Sequence, residues 1–161
     1  MTAGKVRPAR AEDELAGLVT VCAGAGCPAL LTLSVVGHVE MIPADPLDRR
    51  VAAAFDAHQR RATDRGRLLG PNAVRFAVEQ FSQLGSDALV RPSPWRLGAL
   101  QAELAAEWLT EWVAAACEQQ LDLAGETDAY LRRRLARART GRLEVIVDHA
   151  DLLVLPGTSP R

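Results

Sequence analysis

The sequence predicts an α/β fold built as a partial sheet, with strands at about 29–36, 87–91 and 143–155 and a helical insertion at about 98–139. Three observations carry this reading. The run Pro28-Ala29-Leu30-Leu31-Thr32-Leu33-Ser34-Val35-Val36-Gly37 is apolar on both alternations, the pattern of a strand inside a parallel sheet covered by helices on each side. Between residues 12 and 91 helical and strand patterns alternate, which predicts a right-handed crossover of the doubly wound kind. The chain then closes on Leu143 to Leu155, alternating at first and continuously apolar later, which predicts one long strand bulged near Asp148. Only Met1 to Ala11 precede the first helix, with no strand pattern among them, so the sheet reads as one entered partway.

Residues 1–11 read as a flexible tail, because Gly4, Pro8 and three basic side chains offer nothing to pack. The helix at 12–25 opens with Glu12-Asp13-Glu14, which suit the positive end of the helix dipole. It sets Leu15, Leu18, Val19 and Cys22 at three- to four-residue spacing. Gly24 and Gly26 stop it and Pro28 prevents its restart. After the strand, Gly37 marks an end, and the proline-rich stretch 38–46 reads as a loop with a short extended piece at 39–42. Asp45-Pro46-Leu47-Asp48 starts a second helix whose one side carries Leu47, Val51, Ala54, Phe55 and His58. That helix gives way near Arg61 to a polar loop.

Gly70-Pro71-Asn72 opens a third helix, about 72–84, with Val74, Val78 and Phe81 as its buried line and Gly85 as its stop. The strand at 87–91 follows directly. A long helix over 98–120 aligns Leu97, Leu100, Leu104, Trp108 and Trp112 on one side, with Ala105, Leu109, Val113 and Ala116 widening the apolar face. After a break at Leu123-Ala124-Gly125, a helix at about 126–139 places Ala129, Leu131, Leu135 and Ala138 partly inside. Residues 12–156 thus form one domain, and 157–161 a short tail.

Composition narrows the function classes. With 161 residues, 48% hydrophobic and 24% charged, the chain is long and apolar enough for a real core. A net charge of −1 supplies no general field for nucleic acid or anionic lipid. No apolar run approaches the roughly 20 residues that span a bilayer. The first residues lack an apolar leader core, so a cytoplasmic protein is expected. Cys22, Cys27 and Cys117 are odd in number and hold no Cys-x-x-Cys pair, which argues against a disulfide framework and against a zinc site.

Several side chains are candidates for chemistry. Ala23-Gly24-Ala25-Gly26 is not a phosphate cradle, since the glycines follow a helix and precede a strand, the reverse of what such a cradle needs. Ser34, Gly37 and His38 stand at the carboxyl end of the first strand, where ligands bind in open α/β sheets. A plain strand-end serine is the alternative for Ser34, and the absence of Gly-x-Ser-x-Gly argues against a serine hydrolase. His58-Gln59-Arg60-Arg61 combines imidazole, amide and two guanidiniums at a helix end. Such a group can bind a carboxylate or move a proton, or simply complement the negative helix terminus. Trp95, fixed between Pro94 and a strand, can wall a small-molecule pocket or pack as a core or lid residue. Arg132-Arg133-Arg134 has only Tyr130 as a neighbouring aromatic, so it reads as a solvated helix face rather than an RNA or DNA patch. His149 beside Asp148 and Asp151 is a weak metal motif and reads as structural.

Taken in order, several segments resemble the C-terminal half of a family of bacterial class I S-adenosylmethionine-dependent methyltransferases. They are Leu31-Thr32-Leu33-Ser34-Val35-Val36-Gly37, Pro43-Ala44-Asp45-Pro46-Leu47-Asp48, and Ala53-Ala54-Phe55-Asp56-Ala57-His58-Gln59-Arg60. Arg67-Leu68-Leu69-Gly70-Pro71-Asn72-Ala73, Val90-Arg91-Pro92-Ser93-Pro94-Trp95-Arg96-Leu97-Gly98 and His149-Ala150-Asp151-Leu152-Leu153 complete the set. The resemblance spans about residues 12–156. It implies a Rossmann-like sheet of seven strands, with 29–36 as the fifth, 87–91 the sixth and 143–155 the seventh, antiparallel to the rest. It also implies methyl transfer to a small-molecule acceptor, with His58 as a base and Ser34, Gly37, His38, Gln59, Arg61 and Trp95 around the acceptor. In this family the Gly-rich loop and the ribose and adenine contacts belong to the N-terminal half, and none has a counterpart here. A complete S-adenosylmethionine site is therefore not expected in this chain. A complementing N-terminal half, or a second copy meeting it through an open edge of strand 29–36, is the partner expected. The alternative is a non-catalytic interaction module pairing through that same edge.

Overall fold

The computed structural model describes residues 11–64 and 66–156, with the side chains of Leu33 and Ser34 left aside. Among these residues the fold is mixed α/β, with five α-helices and one main sheet. Helix α1 (Ala11–Gly24) enters strand β1 (Ala29–Ile42), and α2 (Asp48–Gln59) follows. A small hairpin of β2 (Ala62–Thr63) and β3 (Gly66–Arg67) leads through a 3-10 turn to α3 (Ala73–Gln83). Then come β4 (Asp87–Pro92), β5 (Trp95–Leu97), α4 (Ala102–Gln119), α5 (Ala124–Arg139) and the closing strand β6 (Glu144–Leu155). No helix among the described residues is long and apolar enough to cross a membrane.

The sheet runs in the order β1-β6-β4, with β5 also paired to β6, and every pairing is antiparallel. β1 and β4 are therefore parallel to each other but not adjacent, because β6 lies between them. The crossover expected from the helix–strand alternation thus joins strands one position apart, and the final strand is antiparallel to both as anticipated.

β1 is longer than expected, and Gly37 is not its end. Val35 faces His149 and Val39 faces Val147, so residues 36–38 stand opposite Asp148 alone; likewise Thr32 and Leu33 stand opposite Asp151. The irregularity predicted for the last strand sits instead on β1, while β6 continues without interruption. Gly37 occupies the bulge with φ +85°, where a Cβ would come within 2.8 Å of Pro71 Cγ. Glycine satisfies both the left-handed backbone and the close approach.

Two helical layers cover opposite faces at opposite ends of the sheet. Val19 of α1 and Ala77 and Phe81 of α3 pack on Leu152 and Val154 of β6, with Ala29, Leu31 and Ala88 beside them. On the other alternation of β6, Val145 and Val147 pack with Met41, Leu97 and the buried residues of α2, α4 and α5. The expectation that strand 29–36 is covered on both faces fails here. Leu30 is 65% exposed, and its register neighbours Leu153 and Leu89 are also open to solvent. One face at that end carries no helix among the described residues.

The insertion packs on most of the apolar face the sequence predicts and leaves out its Leu100 and Leu104 margin. α4 buries Ala105, Leu109, Trp112, Val113 and Ala116, while Leu100 is 95% exposed and Leu104 is open. A 3-10 turn at Ala99–Gln101 and strand β5 interrupt the helix pattern before Ala102, which swings Leu100 away from the core. α5 buries Thr127, Tyr130, Arg134 and Ala138, whereas Ala129 is exposed.

Candidate functional site

The carboxyl half of β1, the turn after it and the first turns of α2 enclose an open cleft of about 580 Å³. Gly37, His38, Glu40 and Met41 form its strand wall, and Asp45, Asp48, Arg49 and Asp56 form the opposite side. The bulge at 36–38 makes this geometry, because it turns His38 toward β6, where Nδ1–H donates to Asp148 Oδ2 at 3.0 Å.

The far wall of the cleft is braced from α5. Asp45 Oδ1 accepts the Leu47 N–H at 3.1 Å and Asp48 Oδ2 accepts the Asp45 N–H at 2.8 Å, closing the turn into α2. Asp48 then takes two charge-assisted hydrogen bonds from Arg134 and one from the Tyr130 hydroxyl at 2.7 Å. Arg134 also donates to the Pro43 carbonyl at 2.6 Å, and its guanidinium lies 5.4 Å from the centre of the Tyr130 ring. Arg133 reaches Asp45 Oδ2 at 3.0 Å. Arg132 and Arg133 of the three-arginine run are exposed as a solvated face would be, but Arg134 is 1% exposed and ties the insertion to the cleft wall.

Electrostatics follow from these contacts. Burial alone pushes the Asp45 carboxyl up, but the Leu47 amide and Arg133 outweigh it and hold it below its ordinary value. Burial raises Tyr130 and Asp48 adds to the shift, so its hydroxyl stays protonated and remains a donor. Burial disfavours the Arg134 cation, yet Asp48 and Tyr130 more than compensate.

Asp56 behaves in the opposite sense, because burial raises its pKa above the ordinary 3.8 and Arg60 only partly offsets this. A raised carboxyl contributes stability that is present below the ordinary value and lost as pH rises through the folded value. At pH 7 the Asp56 carboxylate is accordingly a cost. Asp56→Asn should be at least as stable as the parent at pH 7 and lose that advantage at pH 3.5, read from urea midpoints at both pH values. A parent clearly more stable at pH 7 would contradict the assignment.

The residues singled out from the sequence separate into groups. Gly37 and His38 line the cleft. His58, Gln59 and Arg61 lie at the other end of α2, outside it. There His58 Nε2–H donates to Glu118 Oε2 at 3.1 Å and Nδ1 accepts from Arg61 at 3.2 Å, so both ring nitrogens are occupied. Gln59 Oε1 is buried with no donor among the described residues. Trp95 pairs with Val147 and its ring lies tilted against the buried His149 with centres 4.8 Å apart, while His149 Nδ1 donates to the Val147 carbonyl at 3.0 Å. His149 is structural in this arrangement. Ser34 pairs with Ala150 through the backbone, and its side chain lies outside the described residues.

Sequence reasoning missed Tyr130, Arg134 and Asp48 as one unit. A signal existed: Thr127, Tyr130, Arg134 and Ala138 follow helical spacing, and counting Arg134 as a core position would have aligned them.

Gly24 ends α1 and Gly26 follows it ahead of β1, and a Cβ at either would meet nothing within 4 Å, so neither glycine is demanded by close packing within the chain. What these residues define is a mixed α/β protein with an open cleft of mixed charged and apolar lining at the carboxyl half of one edge strand. Comparison with protein-family models, curated proteins and solved structures finds no match to this chain.

Proposed function

We propose that this chain is the acceptor-binding half of a class I S-adenosylmethionine-dependent methyltransferase, acting on a small-molecule acceptor held in the cleft beside Gly37, His38 and Asp56. The observation that carries the reading is the sheet: two parallel strands with a last strand antiparallel to both is the arrangement the sequence resemblance calls for. The cleft supports it, since it lies at the carboxyl half of the strand that corresponds to the fifth. The cofactor belongs to a complementing N-terminal half, and this chain contributes the acceptor wall and its alignment. His58 lies at the far end of α2 with both nitrogens engaged, away from the cleft, whereas His38 and Asp56 are among the titratable groups that line it, with Glu40, Asp45 and Asp48.

Calorimetric titration with S-adenosylmethionine tests this. The chain alone should give no binding heat, and the chain co-expressed with the polypeptide encoded immediately upstream should bind. No binding by the joined pair would sink the methyltransferase reading, and tight binding by the chain alone would overturn the division into halves.

A further inference from the structure

One face of the main sheet is bare at one end. Residues paired in register point to the same side of a sheet, so Leu30, Leu153 and Leu89 form a row across β1, β6 and β4. All three are exposed, and so is Leu155, which lies on the same side two residues beyond Leu153. The layer of α1 and α3 lies on the other side, against Leu152 and Val154. The layer of α2, α4 and α5 covers this side only around Val145 and Val147. The bare area is thus the tread of a step whose riser is the second helical layer. A contiguous apolar patch on an otherwise polar surface marks a contact site.

The charges beside the row select what covers it. β4 sets Asp87, Leu89 and Arg91 on this side in alternation, a carboxylate and a guanidinium at equal distances from the central leucine. Both charged side chains are exposed. Arg91 Nη1 turns back to the Val90 carbonyl at 2.9 Å, and among the described residues neither Asp87 nor Arg91 is in an ion pair. A surface with opposite charges placed symmetrically about an apolar centre is complementary to its own copy across a two-fold axis.

We infer that this face is the interface of a homodimer in which two copies stack sheet on sheet with their leucine rows in contact. A two-fold axis that lies between the sheets and runs across the strands sets each leucine of the row on its counterpart. It also reverses strand direction, so each copy's Asp87 meets the partner's Arg91. Stacked sheets lie about 10 Å apart, a gap these two side chains can bridge. An axis running along the strands would instead lay Asp87 and Arg91 over β1, whose residues 29–36 carry no charge to meet them. With the axis across the strands, the partner's helical layer passes beyond the Leu155 end of the sheet, and the two steps interlock. The interface uses none of the residues that line the cleft, so it is independent of the proposed methyl transfer.

Sedimentation velocity of the full chain between about 1 and 200 µM should show a reversible monomer–dimer equilibrium, with a Kd on the order of 10 µM. Asp87→Arg and Arg91→Asp should each weaken it at least about tenfold, because each sets like charges against one another across the interface. The double variant D87R/R91D re-creates the pairing in reverse and should recover to within about fivefold of the parent. Leu30→Lys should abolish the dimer while leaving the urea midpoint of the monomer unchanged, since Leu30 is already open to solvent. A parent that is monomeric throughout this range overturns the inference. A double variant as weak as the two single ones does the same, because it shows that Asp87 and Arg91 do not meet. Dimerisation that survives Leu30→Lys would place the contact at the outer edge of β4, two strands away, and would refute the stacked arrangement. If a single charge variant fails to fold, the double variant and Leu30→Lys still decide the question.

Discussion

Replacing Arg134 by alanine is expected to destabilise the protein by about 3–5 kcal/mol, the usual cost of removing one partner from a buried ion pair. Arg134 is almost wholly enclosed, bonded to both oxygens of Asp48 and to the Pro43 carbonyl. Without it Asp48 keeps only the Tyr130 hydroxyl and the Asp45 N–H, and the Pro43 carbonyl loses its charged donor. The loss should be strongly non-additive: Asp48→Ala and Arg134→Ala combined should cost clearly less than the sum of the single changes, because the second deletion removes a charge the first has orphaned. Urea unfolding of the two single variants and the double variant reads this directly. Additive losses would mean that Asp48 and Arg134 do not act as a unit. Arg134→Lys tests the geometry, since an ammonium cannot make the forked contact, and it should recover only a part of the stability.

The second large effect is at Trp112, which is 1% exposed, stacks on Trp108 with ring centres 5.1 Å apart and meets Phe55 at 6.3 Å. Trp112→Ala should cost about 3–5 kcal/mol through lost apolar burial and the cavity left between α2 and α4. Trp112→Phe should recover most of that. The indole N–H has no acceptor among the described residues, so losing it forfeits no hydrogen bond. Thermal melts of the two variants decide the matter. A phenylalanine variant as damaged as the alanine one would show that the indole is held by an interaction other than packing.

How far the sequence was legible differs from element to element. The helices now seen at Ala11–Gly24, Asp48–Gln59 and Ala73–Gln83 were each marked by acidic starts, a Pro-containing turn or a terminal glycine, all local signals. The final strand's antiparallel course followed from the family resemblance. The extended piece at 39–42 was legible, but its continuity with β1 through Gly37 was not, because a glycine in a strand looks like a stop until a partner strand shows that it is a bulge. The buried face of α4 was legible except at its start: Leu100 continues the periodic pattern, but it lies in a 3-10 turn after β5 and the helix begins only at Ala102.

The cleft was partly legible. Gly37 and His38 were placed by the rule that ligands gather at the carboxyl ends of strands, and the structure puts both in its wall. Gln59, Arg61 and Trp95 were grouped with them by chain proximity or strand-end position, yet α2 carries the first two to its opposite end and β5 holds Trp95 against His149. Arg134 was read as solvated because charge predicts exposure unless a partner is known. Its partner, Asp48, is 86 residues away along the chain.

Periodicity, capping residues and glycine positions are short-range properties, and they were enough to indicate where the five helices lie and that a strand follows α1 directly. The extent of β1 and its two bulges, and the arginine that locks α5 to the cleft wall, belong to the tertiary structure. Each depends on which distant residues meet, and hydrogen-bond register and the pairing of buried charge are settled only when those residues are packed together.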